Sequence, residues 1–245
     1  MRDTIGYYAR ICAGRIIGCR ILGHSGSPDL PVAQLRLEVG SLLSSEIVIV
    51  GNHLGSPGSS GNISCYANSR LVIENNFILT TQLTTGIGFY PTADLHGPPS
   101  RIVNNTIYST ASNSGSAITV GISDTDQSCT VKNNTSIGFN GQVISVPVGS
   151  NYVFAVSHNM FGQVSHIDPT TGAALAGSPL IDAGDPAAQY LDLDLSANDV
   201  GCFGGSNSRA NFTTGMGSAV VGFMQAPRVV SQGEPVNINA IGFDR

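Results

Sequence analysis

Two short polar stretches carry the groups best suited to moving protons. "PTADLHGPPS" (91–100) holds Asp94 and His96, and "SDTDQS" (123–128) holds Asp124 and Asp126. If the fold brings the two together, three carboxylates and an imidazole converge. Two carboxylates held close push one pKa up, which leaves a protonated acid beside an ionised base. The same groups could instead hold a divalent metal that activates water. The competing role is structural, because aspartate commonly caps a turn by accepting from the backbone NH groups that follow it.

A third stretch, "DLDLSAND" (192–199), offers Asp192, Asp194, Asn198 and Asp199 as oxygen ligands. Alternating carboxylates suit calcium, but the glycine and distal glutamate of an EF-hand loop are missing. Loop-ordering hydrogen bonds are the alternative. The remaining histidines, His24, His53, His158 and His166, are scattered and show no HxH or HExxH spacing, so a zinc signature is lacking. Five cysteines (Cys12, Cys19, Cys65, Cys129 and Cys202) show no CxxC spacing and read as small buried core residues.

The elements that must position these groups form a repeat. The segments "RIIGCRILG" (15–23), "IVIVGNHLG" (47–55), "LVIENNFIL" (71–79), "RIVNNTIYS" (101–109), "TVKNNTSIG" (130–138) and "FAVSHNMFG" (154–162) align on Cys19, Asn52, Asn76, Asn105, Asn134 and Asn159. The spacings are 33, 24, 29, 29 and 25 residues, a loose period of the kind that marks a repeat architecture. A second strand with alternating apolar residues precedes each anchor, as in "GNISCYA" (61–67) and "SAITVGI" (116–122). Strand, corner, strand, Asn turn, strand and corner make one coil of a parallel β-helix. Each strand then pairs with its equivalent about 4.8 Å above and below, and each coil needs its neighbours to bury its core.

The asparagines fit this reading. Asparagine tolerates the left-handed backbone of a sharp bend, and its amide can bond to the amide of the next coil. Asn52, Asn76, Asn105, Asn134 and Asn159 would then form a self-satisfying ladder. The alternative for the NNT stretches is N-glycosylation at Asn104, Asn133 and Asn134, but the pattern extends to "NNF" and "HNM", which are not sequons. With apolar residues inward, the strand before the turn presents an outward row of Glu38, Ser64, Gly88, Thr119 and Ser145. A neighbouring row holds Tyr66, Tyr90, Gly121 and Pro147. Tyr66 and Tyr90 would sit on adjacent coils, either as a platform for a sugar ring or as ordinary cross-strand packing.

The stretch "SPLIDAGDPAAQYLDLDLSANDVGCFGG" (178–205) resembles the closing segment of secreted bacterial β-helix proteins of the pectin-lyase-like type. The resembling residues are Ser178-Pro179, Ile181 to Asp185, Asp199-Val200-Gly201 and Gly204-Gly205. The expected fold is therefore all-β: a right-handed parallel β-helix of about six coils with three strands per coil, over 1–205. A C-terminal extension over 206–245, with a short β-hairpin, looks like the truncated start of a β-sandwich. Members of the family normally have a signal peptide and further N-terminal coils, whereas coil one here begins almost at Met1. The resemblance thus implies a fragment of a secreted or cell-surface parent, with uncovered helix ends that favour end-to-end homodimers.

Composition bounds the partners. Only 11% of residues are charged, against about 25% in an average globular protein, and lysine occurs once, at Lys132. A net charge of −5 without a basic cluster argues against nucleic acid. No apolar run approaches the ~18 residues of a membrane span. The resemblance places a substrate groove over the first strand of each coil. The first functional expectation is therefore a polysaccharide-processing or polysaccharide-binding protein, with Arg36, Glu38, Tyr66 and Tyr90 at the substrate and the Asp94/His96/Asp124/Asp126 corner as the reactive edge. Only Arg36 and Glu38 resemble the charged arrangement of pectate lyases. The alternatives are a metal-assisted hydrolase of small esters or phosphoesters, using calcium or another divalent metal, and a non-catalytic structural or surface-display module.

Overall fold

The computed structural model describes residues 7–11, 14–21, 34–39, 46–55, 60–67, 70–80, 85–91, 100–121, 128–145, 153–213, 220–225 and 239–243. These residues form three six-stranded parallel sheets that share six coils. The first sheet contains Tyr7–Ile11, Gln34–Val39, Ser60–Ala67, Ile87–Pro91, Ile118–Val120 and Ile144–Ser145. The second contains Gly14–Ile17, Ile47–Val50, Leu71–Glu74, Ser100–Val103, Ser128–Lys132 and Val153–Ser157. The third contains Arg20–Ile21, His53–Leu54, Phe77–Thr80, Thr106–Asn113, Thr135–Phe139 and Met160–Gly162. The expected three strands per coil and six coils are therefore present. A two-stranded antiparallel hairpin, Val220–Gln225 with Asn239–Phe243, follows the helix.

The core is built from in-register columns. Ile16, Ile49, Ile73, Ile102, Val131 and Val156 face one another from coil to coil of the second sheet. The interior members Ile49, Ile73 and Ile102 are fully buried, whereas Val156 on the last coil is 46% exposed. This is what a stack whose coils bury one another produces at its end. Each fully buried isoleucine contributes on the order of 1.5–3 kcal/mol relative to exposure.

The turn between the second and third sheets divides its two residues between two tasks. The first adopts a left-handed backbone: Gly18, Gly51, Asn75, Asn104, Asn133 and His158 have φ between 54° and 68°. The second points inward and builds the ladder. The Asn52 side-chain amide donates to Asn76 Oδ1 (2.9 Å), Asn76 to Asn105 (3.0 Å), Asn105 to Asn134 (2.9 Å) and Asn134 to Asn159 (2.8 Å). Each also donates to a carbonyl of the preceding coil, as Asn76 does to Ile49 O at 2.8 Å. The left-handed position and the amide ladder, both expected of the asparagines, thus belong to neighbouring residues. Asn104, Asn133 and Asn134 are all buried, and the glycosylation alternative has no accessible amide.

A non-repetitive segment, residues 163–213, straps the outside of these turns. Asn75 Nδ2 donates to Gly204 O (2.6 Å), and Asn104 Nδ2 to Asp199 O (2.8 Å). Asn133 Oδ1 accepts from the Asp185 backbone at 2.8 Å. Phe77, Leu79 and Ile137 on the outer face of the third sheet pack with Ile167, Leu180, Val200 and Cys202 of the strap. Phe212 covers Val48, Val50 and Val72 on the second. Double coverage explains why every residue from Leu71 to Thr80 is buried and why that stretch reads as a continuous apolar run on both sides of its asparagines. Cys65, Cys129 and Cys202 are buried as expected, but Cys19 is exposed. It stands at the first rung of the ladder, where its backbone NH donates to Asn52 Oδ1 at 2.8 Å. Cys12 lies outside the described residues.

Candidate functional site

The first sheet has the register that the alternating pattern demands. Glu38 pairs with Ser64, Ser64 with Gly88, Gly88 with Thr119 and Thr119 with Ser145. Tyr66 is the direct cross-strand partner of Tyr90. Arg36 and Glu38 occupy the strand Gln34–Val39, two register positions apart. The half-buried Tyr90 ring lies along the sheet surface: a Cβ at Gly88 would stand 2.7 Å from Tyr90 Cε2, and one at Gly121 2.5 Å from Cδ1. Larger residues at these two positions would displace the ring.

Asp94, His96, Asp124 and Asp126 lie outside the described residues. The strands that lead to them are described. Gly121, which follows one strand, donates its NH to Phe89 O of the other at 2.6 Å, so the chain enters both polar stretches from paired strand ends.

Asp192, Asp194, Asn198 and Asp199 lie in the strap, and each has its own hydrogen-bond partners. Asp192 accepts from the Gly205 and Asp199 backbones, and Asp194 from the Ser196 hydroxyl at 2.6 Å. Asp199 Oδ1 accepts from the Asp182 NH at 2.8 Å. Asn198 Oδ1 accepts from Asn104 Nδ2 at 3.0 Å. These bonds order the loop against the Asn turn. Among the described residues no three His, Cys, Asp or Glu side chains form a group that could hold a metal. Burial pushes Asp192 up to about 6, with the Asp199 and Asp194 charges adding to the effect, and burial also raises Asp199.

Charged pairs fasten the strap and the coils. Glu74, buried beneath the strap, pairs with the Arg101 guanidinium and accepts from Asn207 Nδ2 at 2.9 Å. Lys132 pairs with Asp185 at 2.6 Å. His158 lies 4.0 Å from the same carboxylate.

A constellation that the sequence pattern did not single out sits at the first-coil end of the strap. A cleft of about 410 Å³ is lined by residues that include Arg20, His53, Thr171, Arg209 and Phe212. Arg209 Nη1 donates to Thr171 O at 2.7 Å, and its Nη2 lies 3.4 Å from His53 Nδ1. The guanidinium sits over the Phe77 and Phe203 rings, 5.9 and 5.8 Å from their centroids. Desolvation, followed by the Arg209 and Arg20 charges, lowers the His53 pKa to about 4. These groups come from strands and a strap far apart in the chain, and no spacing rule joins them. Among the described residues no helix is long and apolar enough to cross a membrane. Compared with protein-family models, curated proteins and solved structures, the chain matches none.

Proposed function

We propose that the protein is a polysaccharide-binding or polysaccharide-processing β-helix that works from the outer face of its first sheet. The observation that carries this reading is the pairing of Tyr66 with Tyr90, together with the Tyr90 ring laid over Gly88 and Gly121. An aromatic ring lying along a sheet suits the flat apolar face of a sugar. The strap packs on the second and third sheets, so the reading assigns the substrate to the first. Arg36 and Glu38, on the coil before Tyr66, extend the polar row along which further sugar units would lie.

In this reading Asp94, His96, Asp124 and Asp126 form the reactive edge. One carboxylic acid protonates the leaving-group oxygen of a glycosidic bond, and a second carboxylate activates water or attacks the sugar. The test combines retention on a glycan array with a screen for glycoside hydrolysis and elimination. Replacing both Tyr66 and Tyr90 by Ala should abolish retention, and Asp94→Asn or Asp126→Asn should lower turnover while leaving retention intact. Unchanged retention in the double variant would overturn the reading. Loss of turnover on chelation would move the corner from paired acids to a bound divalent metal.

A further inference from the structure

Three cations elsewhere in the described residues meet carboxylates. Arg70 pairs with Glu46, Arg101 with Glu74 and Lys132 with Asp185. The cleft at the first-coil end of the strap differs. Arg20 and Arg209 both line it; Arg20 is the cross-strand partner of His53, and Arg209 Nη2 lies 3.4 Å from His53 Nδ1. Among the described residues, neither arginine has a carboxylate partner. In a chain of net charge −5, two guanidiniums line this one cleft, and the Asp168 carboxylate near it is engaged by Thr170.

Arg209 is only 6% exposed. A buried cation is costly unless something pairs with it. Its two terminal nitrogens face Thr171 O and His53, and the aromatic rings of Phe77 and Phe203 supply cation–π attraction. Its Nε is buried with no hydrogen-bond partner. Because a guanidinium only donates, His53 Nδ1 must accept from it, which leaves the proton of the neutral ring on Nε2. The cleft therefore offers donors and positive charge.

We propose that this cleft binds an oxyanion, the phosphate or carboxylate group of a small ligand, between the Arg20 and Arg209 guanidiniums with His53 beside it. Planar guanidinium forks match both groups. The site lies under the strap, away from the first-sheet face, and is independent of the polysaccharide reading.

The experiment titrates the full chain with inorganic phosphate and, separately, with acetate, at constant ionic strength set with chloride. It follows the His53 ring signals by NMR and the melting temperature. Arg20 is exposed at the cleft mouth, so Arg20→Gln is the informative variant, and its folding is checked by an unchanged spectrum without anion. The expected result is a saturable His53 response and a raised melting temperature with at least one anion, with affinity reduced about tenfold or more in Arg20→Gln, the scale of one lost charge-assisted bond. A response to phosphate alone assigns a phosphorylated ligand, and a response to acetate assigns a carboxylate. The proposal is overturned if neither anion gives a saturable response at millimolar concentration, or if Arg20→Gln responds as the wild type does.

Discussion

Asn75 and Asn76 are consecutive in the chain and bond in opposite directions. Asn75, with φ 55°, donates outward to the Cys202 and Gly204 carbonyls of the strap. Asn76 donates inward to Asn105 Oδ1 and Ile49 O. This dipeptide thus joins its coil both to the neighbouring coils and to the segment that covers it, and substitutions at its two positions have different consequences.

Asn105→Ala removes the acceptor for the Asn76 NH and side-chain amide. It also removes the donor to Ile73 O and Asn134 Oδ1. A buried polar group left without a partner costs about 1–3 kcal/mol, and several are orphaned at once. We expect a loss of about 3 kcal/mol or more in urea unfolding, with smaller effects for Asn159→Ala at the open end. A loss below about 1 kcal/mol would mean that the ladder accompanies the stack without stabilising it.

The coils were legible because a repeat writes its register into the sequence. Aligning Asn76 with Asn52 and Asn105 gives the coils, and the alternating apolar residues of the strand before each turn give the pairing of Tyr66 with Tyr90. The strap was legible as a closing segment over 178–205, but its docking was not, because its bonds to the coils join single polar residues across long separations, 94 residues for Asn104 with Asn198 and 156 for His53 with Arg209. The same lack of period hid the Arg20/Arg209 cleft. Cys19 misled for a related reason. Its apolar neighbours suggest burial, but it takes a turn position that other coils fill with asparagine.

Glu74 offers a direct test of how firmly the strap is held. Glu74→Ala leaves the Arg101 guanidinium and Asn207 without their shared carboxylate. Breaking a buried pair from one side typically costs about 3–5 kcal/mol. Because Arg101 is 25% exposed and water can partly replace the lost partner, we expect the low end of that range. Limited proteolysis should cut within 163–213 earlier than in the wild type. Unaltered cleavage there would show that the apolar seat of the strap holds without the ion pair.

His53 predicts a pH dependence with a definite sign. The unfolded ring takes up a proton near 6.5 and the folded ring only near 4, chiefly because burial disfavours the imidazolium. The contribution of the neutral ring is therefore complete above pH 6.5 and is lost as pH falls toward 4. Asp192, raised to about 6, works the other way and adds stability on acidification. The comparison that isolates His53 is the slope of stability between pH 6.5 and 4 in wild type and His53→Gln. The wild-type loss should be the steeper, and parallel slopes would show that the ring titrates normally.

Gly51 and Gly177 separate steric demand from backbone strain. Both have positive φ, 68° and 77°, so an alanine at either carries a left-handed penalty of roughly 1–2 kcal/mol. At Gly177 a Cβ meets nothing within 4 Å, and that penalty should be the whole effect. At Gly51 it would run into the ring of Phe212, which seals Val48, Val50 and Val72. Gly51→Ala must therefore shift Phe212 and re-expose part of that cluster, adding about 1–3 kcal/mol of the kind seen on overpacking. Asparagine, which fills the equivalent position in three later coils, should not rescue Gly51, because it relieves the backbone and enlarges the clash. Chemical denaturation of the three variants checks the order: Gly177→Ala mildest, with Gly51→Ala and Gly51→Asn both more damaging. If Gly51→Asn proved as stable as wild type, Phe212 would not be seated on that turn, and the wall it gives to the Arg20/Arg209 cleft would be lost as well.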